Sequence, residues 1–102
     1  METPDGPATA APNTIRSRPN PFNPSTEIVG IGAPGSTLVI AIYDVSGREL
    51  NEMSARASTD GRASVLWNGR DKSGRALPSG VYFAALKVGG RVTAVSKLVL
   101  AR

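Results

Sequence analysis

The 102 residues include no histidine and no cysteine. That excludes the commonest general base, the commonest metal ligand, thiol nucleophiles and any disulfide framework. A net charge of +4 and a pI near 10.1 would suit a polyanion, but the basic residues are spread along the chain, which reads as a solvated surface and not a nucleic-acid stripe.

At 40% hydrophobic content the chain is long enough for one domain with a modest core. Eleven glycines and eight prolines without a collagen-like period predict many turns and many short strands. No apolar run approaches the ~20 residues of a membrane helix.

Residues 1–14 carry Pro4, Pro7 and Pro12 and almost nothing that could enter a core, and they read as a linker or disordered terminus. They are acidic and proline-rich, unlike a signal peptide. After the short Ile15–Arg18 comes Pro19-Asn20-Pro21-Phe22-Asn23-Pro24-Ser25-Thr26. Its prolines forbid helix and withhold ladder donors, so an ordered extended turn is predicted, with Phe22 as its apolar plug.

Glu27–Ala33 reads as a first long strand with Val29, Ile31 and Ala33 on one face and a register open by one residue. Its Gly30-x-Gly32-x-x-Gly35 spells a dinucleotide-binding fingerprint, which requires a helix to start at the last glycine. Here Pro34-Gly35-Ser36 is a turn, and Thr37–Tyr43 is too β-branched for a helix. With both of its faces apolar, Thr37–Tyr43 belongs inside a sheet. Asp44-Val45-Ser46-Gly47 then turns the chain, with Gly47 supplying a positive φ. Arg48–Met53 is expected as an edge strand whose charges oppose edge-to-edge pairing.

Ser58-Thr59-Asp60-Gly61 reads as a hairpin turn, followed by a strand with Ala63, Val65 and Trp67 inward. The polar loop 68–75 has a glycine-punctuated look, but its spacing fails a calcium loop, because Gly69 and Gly80 would stand at ligand positions. Gly80–Leu86 is the predicted central strand, with Tyr82, Ala84 and Leu86 on one face. Gly89-Gly90 returns the chain along it as Arg91–Leu100. About seven antiparallel strands result, an all-β, immunoglobulin-like β-sandwich.

Four segments in order carry a family resemblance: Pro19-Asn20-Pro21-Phe22-Asn23-Pro24, Tyr43-Asp44-x-x-Gly47-Arg48, Trp67-x-Gly69-x-Asp71-x-x-Gly74, and Gly80-x-Tyr82. Together with the closing Lys97-Leu98-Val99-Leu100, they make residues 15–102 resemble the type A C-terminal sorting domains of the type IX (Por) secretion system. The immunoglobulin-like domain of the flagellar hook-capping protein is closely similar. Gly30 and Gly32 depart from the family's bulkier strand and predict looser packing there.

The resemblance implies a non-catalytic address at the end of a larger secreted protein, passing through the periplasm and across the outer membrane to the cell surface or medium. Implied partners are an N-terminal cargo domain and the outer-membrane secretion machinery. The recognition segments it implies are Pro19–Pro24 and Lys97–Leu100, the latter as an edge strand open to strand addition. A monomer without cofactor, metal or nucleic acid is expected. The alternative is a structural module of a hook-capping or surface-assembly protein. A carbohydrate-binding sandwich is disfavoured because a core would consume most of the five aromatics.

Overall fold

The computed structural model describes residues 14–102; the expected linker, apart from Thr14, lies outside them. Seven strands form two antiparallel sheets: β1 (Thr14–Arg18), β2 (Thr26–Ile31), β3 (Thr37–Tyr43), β4 (Glu49–Arg56), β5 (Arg62–Trp67), β6 (Gly80–Val88) and β7 (Arg91–Leu100). One sheet has the order β1-β2-β5 and the other β4-β3-β6-β7. The immunoglobulin-like sandwich is therefore as expected, with β1 opening one residue earlier than the predicted domain start.

Each strand sits where its side-chain pattern can be buried. β3 alternates Leu38, Ile40 and Ile42 toward the core with Val39, Ala41 and Tyr43 on the other face, and it is an interior strand paired on both edges. β6 is its interior neighbour, burying Tyr82, Ala84 and Leu86. β4 is an edge strand with alternate residues exposed, as its charges predict. Gly89 and Gly90, both at positive φ, close the β6–β7 hairpin.

Two expectations fail. β2 turns Thr26, Ile28 and Gly30 inward, while Val29 and Ile31 are half-buried on the outer face and Ala33 is exposed. The inward glycines leave room that the opposite sheet fills, so packing is tight there: a Cβ on Gly30 would lie 3.1 Å from Leu86 Cδ1, and one on Gly32 2.7 Å from Leu38 Cδ2. The glycine fingerprint thus serves close packing between sheets.

The turn at 58–61 is locally tight, with Gly61 N–H donating to Ser58 O at 2.9 Å and Ser58 N–H to Arg62 O at 2.9 Å. Yet β4 and β5 do not pair; the turn carries the chain from one sheet to the other. It runs beside the β2–β3 crossing, and the two are joined by Gly32 N–H to Gly61 O at 2.8 Å and Gly35 N–H to Ala57 O at 3.0 Å.

Candidate functional site

Trp67 anchors the end of the sandwich where the motifs meet. Its ring is 1% exposed, with Phe22 at 5.5 Å and Tyr82 at 5.6 Å between ring centroids. Both tilted geometries are favourable for aromatic pairs. The polar edges of the cluster are satisfied locally: Trp67 Nε1–H donates to Arg70 O at 2.9 Å and the Tyr82 hydroxyl to Pro78 O at 2.6 Å. Burial pushes the Tyr82 phenol above its ordinary range. Phe22 is a plug, as predicted, and these three rings are closed to any sugar.

Around this plug the Pro19–Pro24 strap crosses from the three-stranded sheet to the outer edge of β7. The peptide bonds before Pro19, Pro21 and Pro24 are cis. The exposed Asn20 side chain donates Nδ2–H to Lys97 O at 2.7 Å and accepts the Val99 N–H on Oδ1 at 2.9 Å. One amide thus does what two backbone groups of a neighbouring strand would do. Phe22 continues the pairing with its backbone, donating to Val99 O and accepting from Ala101 N–H, both at 2.9 Å. Thr26, itself buried, holds the start of the strap by donating its hydroxyl to Pro19 O at 2.7 Å.

This corrects the expectation of an open edge at Lys97–Leu100: the backbone groups that an added strand would use are already taken by Asn20 and Phe22. The side chains divide by role. Phe22, Leu98 and Leu100 are buried in the core, whereas Pro19, Asn20, Pro21, Asn23, Pro24 and Lys97 are exposed. Val99 is half-buried.

Gly69 sits where three segments converge. Its φ is +72°, and a Cβ would lie 2.9 Å from the Arg102 guanidinium, 3.2 Å from Leu100 Cδ2 and 3.3 Å from Pro24 O. Arg102 clamps this corner by donating to Gly69 O at 3.0 Å, Leu77 O at 2.7 Å and, through its backbone, Ser79 Oγ at 2.9 Å.

Asp44-Val45-Ser46-Gly47-Arg48 and Asp71-Lys72-Ser73-Gly74-Arg75 share the spelling Asp-x-Ser-Gly-Arg, a repeat beyond the separate turn predictions. The shared spelling was the available signal, and the structure gives both the same turn. Asp44 Oδ1 accepts from Ser46 N–H, Ser46 Oγ–H and Arg48 N–H at 2.9, 2.6 and 3.0 Å. Asp71 Oδ1 accepts from the matching Ser73 and Arg75 groups at 3.0, 2.7 and 3.0 Å.

Gly47 and Gly74 close the turns at positive φ, and each arginine pairs with its aspartate, at 3.5 and 3.9 Å. The serine hydroxyl and then the arginine amide hold each carboxyl below the ordinary value of 3.8. The second turn leans on β4 through Lys72 N–H to Leu50 O at 2.9 Å and Asn51 Nδ2–H to Arg70 O at 3.0 Å. With these oxygens committed to the turns, the motif residues Tyr43, Asp44, Gly47, Arg48, Trp67, Gly69, Asp71, Gly74, Gly80 and Tyr82 build the frame.

A family model described as the FlgD Ig-like domain matches residues 25–90, well over half the chain. No curated protein matches it by sequence. Among solved structures, dimeric latent PorU from Porphyromonas gingivalis superposes with a TM-score of 0.70 at 22% identity, covering 85% of this chain and 9% of that one. PorZ of the same oral bacterium, described as an essential surface component of the type-IX secretion system, gives 0.61 at 26% identity, over 86% of this chain and 11% of that one. FlgD from P. aeruginosa gives 0.53 at 22% identity, over 74% of this chain and 60% of that one. The chain therefore spans about a tenth of the first two proteins and three-fifths of the third.

Proposed function

We propose that the chain, which belongs to the FlgD Ig-like domain family, is by its motif resemblance a non-catalytic sorting and anchoring domain that directs a larger secreted protein across the outer membrane by the type IX system. One observation carries the reading. The two segments with which the resemblance associates recognition, 77 to 79 residues apart in sequence, are joined through Asn20 into a single exposed surface. A partner reading that surface reads both at once, and reads them only when the domain is folded. The partner is the outer-membrane machinery, the cargo lies N-terminal, and the destination is the cell surface or medium. Neither catalysis nor a cofactor enters this role.

The test is a signal peptide and fluorescent reporter fused to the whole chain, expressed in a bacterium with a type IX system. Export of this fusion is expected. The surface double variant Asn23→Asp/Lys97→Glu should remain in the periplasm while unfolding at the parent temperature. A truncation before Leu98 cannot serve, since it would remove two fully buried core leucines, Leu98 and Leu100. If the folded parent fusion stays in the periplasm, the sorting reading is lost. The matching family description favours a second reading, a structural module in a hook-capping or surface-assembly protein. That reading predicts retention of every fusion and specific binding to assembly subunits.

A further inference from the structure

The outer face of the three-stranded sheet carries arginines that the frame does not use. Arg16 and Arg18 stand two residues apart on β1, opposite Val29 and Glu27 of β2, and Arg62 stands on β5 opposite Ile31. Together with Val29 and Glu27 they line a hollow of about 380 Å³.

Several other cations are engaged, Arg48 with Asp44, Arg75 with Asp71, Lys87 with Glu49 and Glu52, and Arg102 with backbone carbonyls, whereas Arg56, Lys72, Arg91 and Lys97 stand exposed without an ion pair among the described residues and do not line this hollow. Among the described residues Arg16 and Arg18 make no ion pair, and Arg62 has the nearby charge of Asp60 but no ion pair. Glu27 in the lining and Asp60 beside Arg62 are two carboxylates set against three guanidinium groups. Three arginines without an ion pair, gathered round one mostly polar hollow, leave donors for an external anion.

We propose that this hollow binds an extended acidic polypeptide segment with carboxylates at alternate positions. Side chains on one side of an extended chain recur about every 6.7 Å, the same spacing that separates Arg16 from Arg18. Arg62, two strands across and level with Thr14, lies roughly 11–12 Å from Arg16 by strand spacing and would take a further carboxylate across the hollow. Val29 offers apolar contact to the stem of the ligand chain. The inference goes beyond the sorting role and does not depend on it.

The experiment is fluorescence anisotropy of the full chain with a labelled short peptide carrying glutamate at every second position and blocked at both ends. Arg16→Gln/Arg18→Gln/Arg62→Gln should weaken binding about ten-fold. Arg56→Gln/Lys72→Gln/Arg91→Gln, which removes the same charge from exposed positions elsewhere, should leave it within about two-fold. Amide chemical-shift mapping on the unmutated chain should place the perturbations on β1, β2 and β5, and decides the matter if the triple variant does not fold. An equal loss in the control variant, no binding at low salt, perturbations on the other sheet, or tighter binding of heparin with no preference for alternate glutamates would each overturn the proposal; the last would make the face a general polyanion surface.

Discussion

Asn20 is the side chain whose removal tests the strap most directly. Asn20→Ala deletes two hydrogen bonds, to Lys97 O and from Val99 N–H, and leaves the two backbone bonds of Phe22 in place. At about 0.5–1.5 kcal/mol net for each bond, the loss is about 1–3 kcal/mol, toward the low end because the site is exposed to water. For a domain of this size that lowers the melting temperature by roughly 5–15 °C.

Asn20→Asp separates the two bonds. The carboxylate still accepts from Val99 N–H but faces the Lys97 carbonyl oxygen with no proton to offer, so it should be destabilised too. Asn23→Ala, at an exposed neighbour in the same strap, should change stability by less than about 0.5 kcal/mol. Thermal unfolding by circular dichroism measures all three, and hydrogen exchange adds a local reading: protection of the Val99 amide should fall in Asn20→Ala while that of Ala101, held by Phe22 O, persists. Equal melting temperatures for Asn20→Ala and the parent, or an equal loss in Asn23→Ala, would refute the strand-mimic account.

Trp67→Ala removes the ring shared by Phe22 and Tyr82 and should cost about 3–5 kcal/mol, enough to leave much of a small domain unfolded in a urea titration. Gly69→Ala places a Cβ at positive φ against the Arg102 guanidinium. It should cost roughly 1–3 kcal/mol, and Arg102→Ala in the same chain should recover part of that in a double-mutant cycle. The Asp44 and Asp71 carboxyls lie lower in the folded state than their ordinary 3.8, so the stability they contribute is present above about pH 4 and lost as the pH falls through the folded values. Urea midpoints should be level from neutral pH to about pH 5 and decline below pH 4, and the decline should be shallower in Asp44→Asn/Asp71→Asn.

Much of this architecture was legible because it is written locally. The two apolar faces of β3, the glycine pair between β6 and β7, and the inward Ala63 and Trp67 each state their role within a few residues. The face that β2 buries was not legible because Gly30, and Gly32 just after the strand, carry no apolar signal; the space they leave is filled by Leu38 and Leu86 from the facing sheet. The Ser58–Gly61 turn has the same chemistry whether the flanking strands pair or part, so no local pattern could reveal a crossing. Asn20 was singled out by resemblance, but its bonds reach residues more than seventy positions away. The repeated Asp-x-Ser-Gly-Arg is fully visible in the sequence, since both copies spell the whole turn within five residues.

The strap also sets an order of events during synthesis. Its partners on β7 are the last strand to be made, so Phe22 and Asn20 wait for them while about 80 further residues are added. At about 5–20 residues per second that wait is some 4–16 s, longer than the milliseconds to seconds in which such β topologies fold once complete. Until Leu98 and Leu100 have left the ribosome tunnel, the core lacks two of its fully buried leucines. A polypeptide that lacks those two leucines therefore cannot close this end of the sandwich, however complete the rest of its core.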